Sequence, residues 1–435
     1  MLLAKILGQT LRDTAVGYYE YLKLLLSRAA VKPVFVKGQA PHLILITWAF
    51  PPVVTGGVYR PLSFVRQAAS LGWKVTVITG QSTQDTDAAG AYLESKIPDS
   101  VSIIRVDKTT RRPSHNWFPQ IDGGFINALN LANIKLDIKS PSVILASGPP
   151  FCSFVAGFLL SKKLDVPLVL DYRDEWTQCP FDFVDIRRND LGWEQKCLAH
   201  ASRILVTTDS FREQIAKEFP HIDCSKVAVV KNGYQSEGES TANKYTKDDE
   251  LFTLSYLGYS AAHAHPKYFI DTLSKAFEFN PGLKSRVRIN FIGKMDAEIK
   301  AYLESSGLYD CLSICPQVDK AEALNLMRSS DALLLFNLPD LSRYLPGKLF
   351  DYVASGTDVL VFGHGGEIAK ALEDADAGVV IPLGDYRKLI DFLDKKRCRT
   401  DRISSNKRNE WLRAHDRDHI AAEMMSHLNT ILEKK

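Results

Sequence analysis

Between Ser142 and Tyr172 the chain reads SVILASGPPFCSFVAGFLLSKKLDVPLVLDY. Ser142–Ser147 and Leu168–Tyr172 are short apolar runs, and Cys152–Lys163 between them has the composition of a helix. Runs that are apolar throughout, rather than alternating, suit parallel strands covered on both faces. Strand, crossover helix and parallel strand make a βαβ unit, and the pattern repeats outward in both directions. Upstream, strands are expected at Leu43–Thr47, Lys74–Thr79 and Ser102–Val106, with a helix at Pro61–Ser70. Downstream, helices are expected at Asn189–Ala199 and Ser210–Glu218, with strands at Arg203–Thr207 and Val227–Val230. Residues 41–235 therefore read as one doubly wound α/β domain.

Residues 236–250 are polar and almost free of large apolar side chains, which marks a linker. A second βα series fills residues 251–405. Its strands are expected at Phe252–Leu257, Arg288–Ile292, Leu312–Cys315, Ala332–Asn337, Val359–Phe362 and Val379–Ile381. Its helices are expected at Pro266–Phe279, Ala297–Ser305, Lys320–Ser329, Lys348–Ala354, Glu367–Glu373 and Asp385–Asp394. Residues 406–435 read as a closing helix. The expected fold class is α/β, with two Rossmann-like doubly wound domains facing a cleft. Open α/β sheets bind ligands beyond the carboxyl ends of their strands, and two such edges suit a two-substrate reaction.

Composition narrows the function. The chain has 435 residues, 45% of them apolar and 24% charged, which is a globular composition. The 54 basic residues against 51 acidic ones leave a net charge of +3, too balanced for an obligate nucleic-acid binder. The seven cysteines are scattered and form no C-x-x-C, so neither a zinc ribbon nor a disulfide framework is indicated and a reducing compartment fits. In residues 1–40, Leu3, Ile6, Leu7, Leu11 and later Tyr18, Tyr21, Leu22 and Leu25 fall at helical spacing, while basic residues outnumber acidic ones. The stretch is too interrupted by charge for a spanning helix or a signal peptide. Two readings remain open: an amphipathic helix on an anionic membrane face, and a helix packed on the domain that follows.

Three stretches carry chemistry. Phe50-Pro-Pro-Val-Val-Thr-Gly56-Gly57-Val-Tyr-Arg60-Pro61 leaves the first strand. Gly56 and Gly57 let backbone approach a ligand, and the helix start beyond them favours an anion; a plain tight turn is the alternative. Asp171-Tyr-Arg173-Asp174-Glu-Trp176 crowds charge at a strand end, either for catalysis or as an Arg–Asp tie between loops. Tyr344-Leu-Pro346-Gly347-Lys348-Leu-Phe-Asp351 places a lysine in a first helical turn, against the macrodipole. That placement makes sense if an anion such as a diphosphate lies between the lysine and the free N–H groups; a solvated Lys–Asp pair is the alternative. The D-x-D triplets at 85–87 and 374–376 and the pair His263 and His265 are discounted as metal sites.

Taken in order, these motifs resemble the GT-B glycosyltransferases of the large retaining group called family 4. Ser147-Gly-Pro-Pro150, Pro167–Trp176, Glu194–Arg203, Val230-Lys-Asn232-Gly-Tyr234, Leu257-Gly258 and Pro346–Gly356 extend the likeness, which is nearest to a bacterial surface-polysaccharide subgroup. The resemblance implies transfer of a sugar from a nucleoside diphosphate sugar, with no metal or other cofactor, to a saccharide or lipid-linked acceptor on the cytoplasmic side. The N-terminal domain would bind the acceptor, and the C-terminal domain the donor. Lys348, Asp351, Arg173 and Asp174 would be catalytic. Gly56, Gly57, Asn232, Gly258, Tyr259, Lys267, Pro346, Gly347, Lys348 and Asp351 would line the donor site. The chain departs from the family pattern at Arg343, where an acid is usual, at Tyr259, where an arginine is usual, and at Arg173, where a histidine is frequent. An inactive sugar-nucleotide-binding subunit and a GT-B epimerase are the competing readings.

Overall fold

A computed structural model describes residues 38–82, 86–108, 119–181, 183–235, 251–260, 265–308, 310–395 and 405–433. The linker 236–250 and residues 1–37 of the N-terminal extension lie outside the described residues, as do Asp85 and His263. The chain forms two units, residues 1–232 with 417–435, and residues 233–416.

In the first unit the strands are β1 (His42–Thr47), β2 (Lys74–Gly80), β3 (Val101–Val106), β4 (Ser142–Gly148), β5 (Leu168–Tyr172), β6 (Arg203–Val206) and β7 (Val227–Val229). The helices are α1 (Tyr59–Ser70), α2 (Ala88–Glu94), α3 (Phe125–Ala132), α4 (Cys152–Leu164), α5 (Asp190–His200) and α6 (Asp209–Glu218). The sheet runs β3-β2-β1-β4-β5-β6-β7, all parallel. The reversal of winding between β1 and β4 is the topological switch of a doubly wound sheet.

The second unit has β8 (Phe252–Leu257), β9 (Val287–Ile292), β10 (Leu312–Cys315), β11 (Ala332–Asn337), β12 (Asp358–Gly363) and β13 (Gly378–Ile381). Its helices are α7 (Lys267–Phe279), α8 (Ala297–Ser305), α9 (Lys320–Ser329), α10 (Gly347–Ala354), α11 (Gly366–Ala375), α12 (Tyr386–Lys395) and α13 (Asn406–Ala414). The order β10-β9-β8-β11-β12-β13 repeats the same winding, again all parallel.

The strands are apolar on both faces because helices cover both. Along β1, Leu43 and Leu45 join a cluster with Leu62 and Val65 of α1. Ile44 and Ile46 point the other way, into a cluster with Val155 and Leu159 of α4. In the second unit Leu333 and Leu335 pack with Leu349 and Val353 of α10, while Leu334 and Phe336 pack with Phe269 and Ile270 of α7. Each such side chain contributes about 1.5–3 kcal/mol by leaving water, and this holds the strand ends in place.

The closing helix is corrected by the structure. It is two helices, α13 and α14 (Arg417–Glu433), and they belong to different units. Trp411 of α13 joins the core of the second unit. Ile420, Met424, Met425 and Leu428 of α14 join Leu62 and Val65 in the first. The apolar pattern runs through the break without glycine or proline. The break lies at His415, whose Nδ1 is 2.7 Å from the Trp411 carbonyl oxygen and whose own carbonyl accepts from the Tyr234 amide at 3.1 Å. Helices α2 and α3 were absent from the expected pattern; both are short, and α2 starts where Asp87 accepts a hydrogen bond from the Gly90 amide at 2.7 Å. Asp376 is likewise a helix end, in the left-handed region at φ 47°. These aspartates are helix-terminal residues, which accounts for one member of each D-x-D triplet.

Candidate active site

At the carboxyl edge of the first sheet, charge is satisfied internally. Asp171 at the end of β5 is wholly buried and receives Arg60 Nε at 3.0 Å, Arg60 Nη2 at 2.8 Å and the Ser147 hydroxyl at 2.7 Å. Arg60 also donates to the carbonyls of Val230 and Lys231, at 2.9 and 2.6 Å, and to Asn232 Oδ1 at 3.3 Å. The Arg–Asp tie between loops is therefore real, but Arg60 makes it and not Arg173. Asn232, expected to bind the donor, is held by this network.

Arg173 points elsewhere. Its guanidinium donates to the carbonyls of Gly148, Pro149 and Gly57. A Cβ on Gly57 would collide with that guanidinium, so Arg173 fills the space beside the glycine. Gly56 is exposed, with nothing near a Cβ. The geometry makes Arg173 a brace of the first loop. Asp174 beside it is half-buried and makes no hydrogen bond among the described residues. Burial pushes its carboxyl up to about 6 against the opposing pull of Arg173.

Three buried acids that the sequence reading did not single out fix the surrounding loops. Asp122 accepts from the amides of Phe151 and Asp185, at 2.8 and 3.1 Å. Asp190 accepts from those of Asp122 and Arg187, at 2.9 and 2.6 Å. Glu194 binds the Tyr172 hydroxyl at 3.1 Å and the Thr177 hydroxyl at 2.5 Å. Burial raises Asp190 and Glu194 to about 7. Apart from Arg187, three residues before Asp190, their partners lie 17 or more positions away, so no spacing rule reveals them.

The second unit differs. Lys348, in the first turn of α10, is half-buried, and no carboxylate pairs with it among the described residues. Its Nζ lies 2.5 Å from the Tyr256 hydroxyl and 3.5 Å from the Tyr259 carbonyl. Burial alone pulls the amine down to about 7. Gly258, directly after β8, has φ 110°, and a Cβ there would sit 3.5 Å from Nζ. Pro346 is extended and starts α10, and Gly347 is exposed over open space. Asp351 is exposed one turn on.

Two expected donor contacts are engaged elsewhere. Lys267 pairs with Asp271 at 2.9 Å on the surface of α7. The exposed Tyr259 gives its hydroxyl to Asp296 at 2.6 Å, while its carbonyl faces Lys348. Tyr256 is the residue at this edge that the sequence reading missed; a tyrosine near the end of a strand, two residues before the glycine, is its signal. Among the described residues no three His, Cys, Asp or Glu side chains come together as metal ligands, and no helix is long and apolar enough to cross a membrane.

Residues 55–233 match the family described as Glycosyl transferase 4-like domain. No curated protein matches the sequence. Sucrose-phosphate synthase from Thermosynechococcus elongatus is similar in structure, with a TM-score of 0.66 at 15% identity over 91% of this chain and 100% of that one. Anabaena Alr3699/HepE in complex with UDP-glucose gives 0.61 at 13% identity, over 89% and 99%. The lipopolysaccharide outer core galactosyltransferase WaaB gives 0.62 at 10% identity, over 91% and 100%. Residues 55–233 thus match a glycosyl transferase 4-like domain, and the chain as a whole has the two-domain α/β GT-B fold of these glycosyltransferase structures.

Proposed function

We propose that the protein moves a sugar, with retention at the anomeric carbon, from a nucleoside diphosphate sugar to a saccharide or lipid-linked saccharide acceptor in surface-glycan synthesis. The observation that carries this reading is Lys348: a half-buried cation with no carboxylate partner, at the start of a helix and beside a glycine with positive φ. An anion arriving beside an amine pulled down by burial favours its charged form. The start of α10 adds to the same positive field. Negative charge builds on the diphosphate as the glycosidic bond breaks, and fixed donors aimed there lower the barrier most. On this reading Lys348 and the helix start stabilise the leaving diphosphate without a metal, and Asp351 binds sugar or ribose hydroxyls. The capture of UDP-glucose by HepE supports the donor class.

The first unit would take the acceptor. Asp174 is its open carboxylate, able to accept a hydrogen bond from an acceptor hydroxyl. The basic, amphipathic pattern of residues 1–32 supports contact with an anionic membrane on the cytoplasmic side.

A thermal-shift screen with UDP, GDP, TDP and CMP tests the donor class, because a ligand at a hundred times its Kd stabilises by about 2.7 kcal/mol. One nucleoside diphosphate should raise the midpoint selectively, and Lys348→Ala should remove both that shift and all turnover while the fold persists. No shift with any of them, or an unchanged rate in Lys348→Ala, would sink the reading. Binding without turnover under any sugar donor would favour an inactive sugar-nucleotide-binding subunit, a reading motivated by Arg343 at the usual position of an acid.

A further inference from the structure

Tyr256 sits on the face of β8 that enters the core of the second unit and is 1% exposed. Its ring is stacked on Phe336, with centroids 5.3 Å apart and planes at 17°, and lies 5.8 Å from Phe291. At the carboxyl edge Lys348 Nζ lies over this ring, 3.9 Å from its centroid, and beside its hydroxyl. The hydroxyl is 2.9 Å from the Tyr259 carbonyl and 2.5 Å from Lys348 Nζ. The direction of these bonds is forced. A carbonyl only accepts and an ammonium only donates, so the phenol gives its single proton to Tyr259 and turns a lone pair to Lys348. The chain of donors therefore runs from Lys348 through Tyr256 to the Tyr259 backbone.

A lysine on a flexible four-carbon stem carries large rotamer freedom. Left alone, its ammonium would leave this half-buried position for water. We propose that Tyr256 is a positioning residue for Lys348: its hydroxyl holds the ammonium against the Gly258 backbone before the donor arrives, so that the pyrophosphate meets a cation already in place. The proposal rests on the reading that Lys348 receives the pyrophosphate. Its benefit is preorganisation, since the ordering of the lysine is complete before binding. The anchor itself is rigid, because the ring is fixed by Phe336 and Phe291 and the hydroxyl by a backbone carbonyl.

Calorimetry on the full chain tests this with the nucleoside diphosphate that stabilises the protein in the screen above. Tyr256→Phe keeps the ring and its stack and removes only the hydroxyl. Its Kd should rise about tenfold, the size of one hydrogen bond to a charged group. Lys348→Ala should weaken binding more. The double variant should bind no worse than Lys348→Ala alone, because the tyrosine acts through the lysine. In turnover, Tyr256→Phe should lower kcat/KM for the donor and leave the acceptor KM unchanged. Calorimetric stoichiometry counts only folded molecules, so Kd stays readable even if part of the variant misfolds.

An unchanged Kd in Tyr256→Phe beside a weakened Lys348→Ala overturns the positioning role and leaves the donor reading standing. Losses that add fully in the double variant overturn it too, since the tyrosine would then act on its own. An unchanged Kd in Lys348→Ala overturns the donor reading itself.

Discussion

The carboxyl edges of the two sheets are built alike and electrostatically finished in opposite ways. In the first unit, Arg60 and Asp171 neutralise each other, Arg173 is absorbed by three carbonyls, and Asp122, Asp190 and Glu194 receive hydrogen bonds from loop amides and hydroxyls. In the second, among the described residues, Lys348 meets a phenol and a backbone carbonyl and no carboxylate. A buried polar group with all its partners holds loops in shape. A buried cation without a counter-charge costs stability until an anion comes. The first edge is thus a network closed on itself, and on the proposed reading the second is completed by an anionic ligand.

The comparison breaks most sharply at Asp171. Asp171→Ala leaves Arg60 buried without its counter-charge, and loss of one partner from such a pair costs about 3–5 kcal/mol. Urea unfolding should show a drop of that size; a loss under 1 kcal/mol would mean the first edge is not held by this pair.

Proton binding sharpens it next. Lys348 falls to about 7 in the folded chain from an ordinary 10.5. Affinity for the nucleoside diphosphate should therefore weaken as pH rises past 7, by up to about tenfold per pH unit. Stability moves the other way. Between about pH 7 and 10.5 the folded chain holds this proton less tightly than the unfolded chain, so the contribution of Lys348 to stability rises with pH through that window. Asp190 and Glu194 lie at about 7, above their ordinary 3.8 and 4.5. Between about pH 4 and 7 the folded chain holds those protons more tightly, so their contribution falls as pH rises and levels off above 7. Urea midpoints from pH 4 to 9 check both signs, and an affinity that is flat from pH 6 to 8.5 would contradict the assignment of Lys348.

The smallest effect is expected at Lys267. Its pair with Asp271 is exposed on both sides, and such pairs are worth about 0–1 kcal/mol. Lys267→Ala should leave stability and the donor kcat/KM within about twofold of the parent; a loss as large as that of Lys348→Ala would return Lys267 to the donor site.

Legibility differed between fold and site for a physical reason. Strands such as Leu168–Tyr172 and Ala332–Asn337 are local apolar runs, and their observed limits match the expected ones. The position of Lys348 in a first helical turn was legible too, because such a lysine is a local anomaly. Gly57 and Arg173 were legible as unusual residues but not as partners, since contact between them depends on how β5 and the first loop come together. Asp190 and Glu194 fall in the expected helix Asn189–Ala199, but the loop amides and hydroxyls that they accept from could not be read from that helix.

The sequence by itself determined the βα alternation, the two sheets and the helix start that carries Lys348, because periodicity and first-turn chemistry act over a few residues. Only the tertiary structure decided that Arg60 and not Arg173 answers Asp171, that α13 and α14 part company at His415, and that Tyr256 stands under Lys348. Those pairings join residues 111, 181 and 92 positions apart, the second being the Tyr234 amide on the His415 carbonyl. The folded backbone brings such residues together, and no spacing along the chain encodes it.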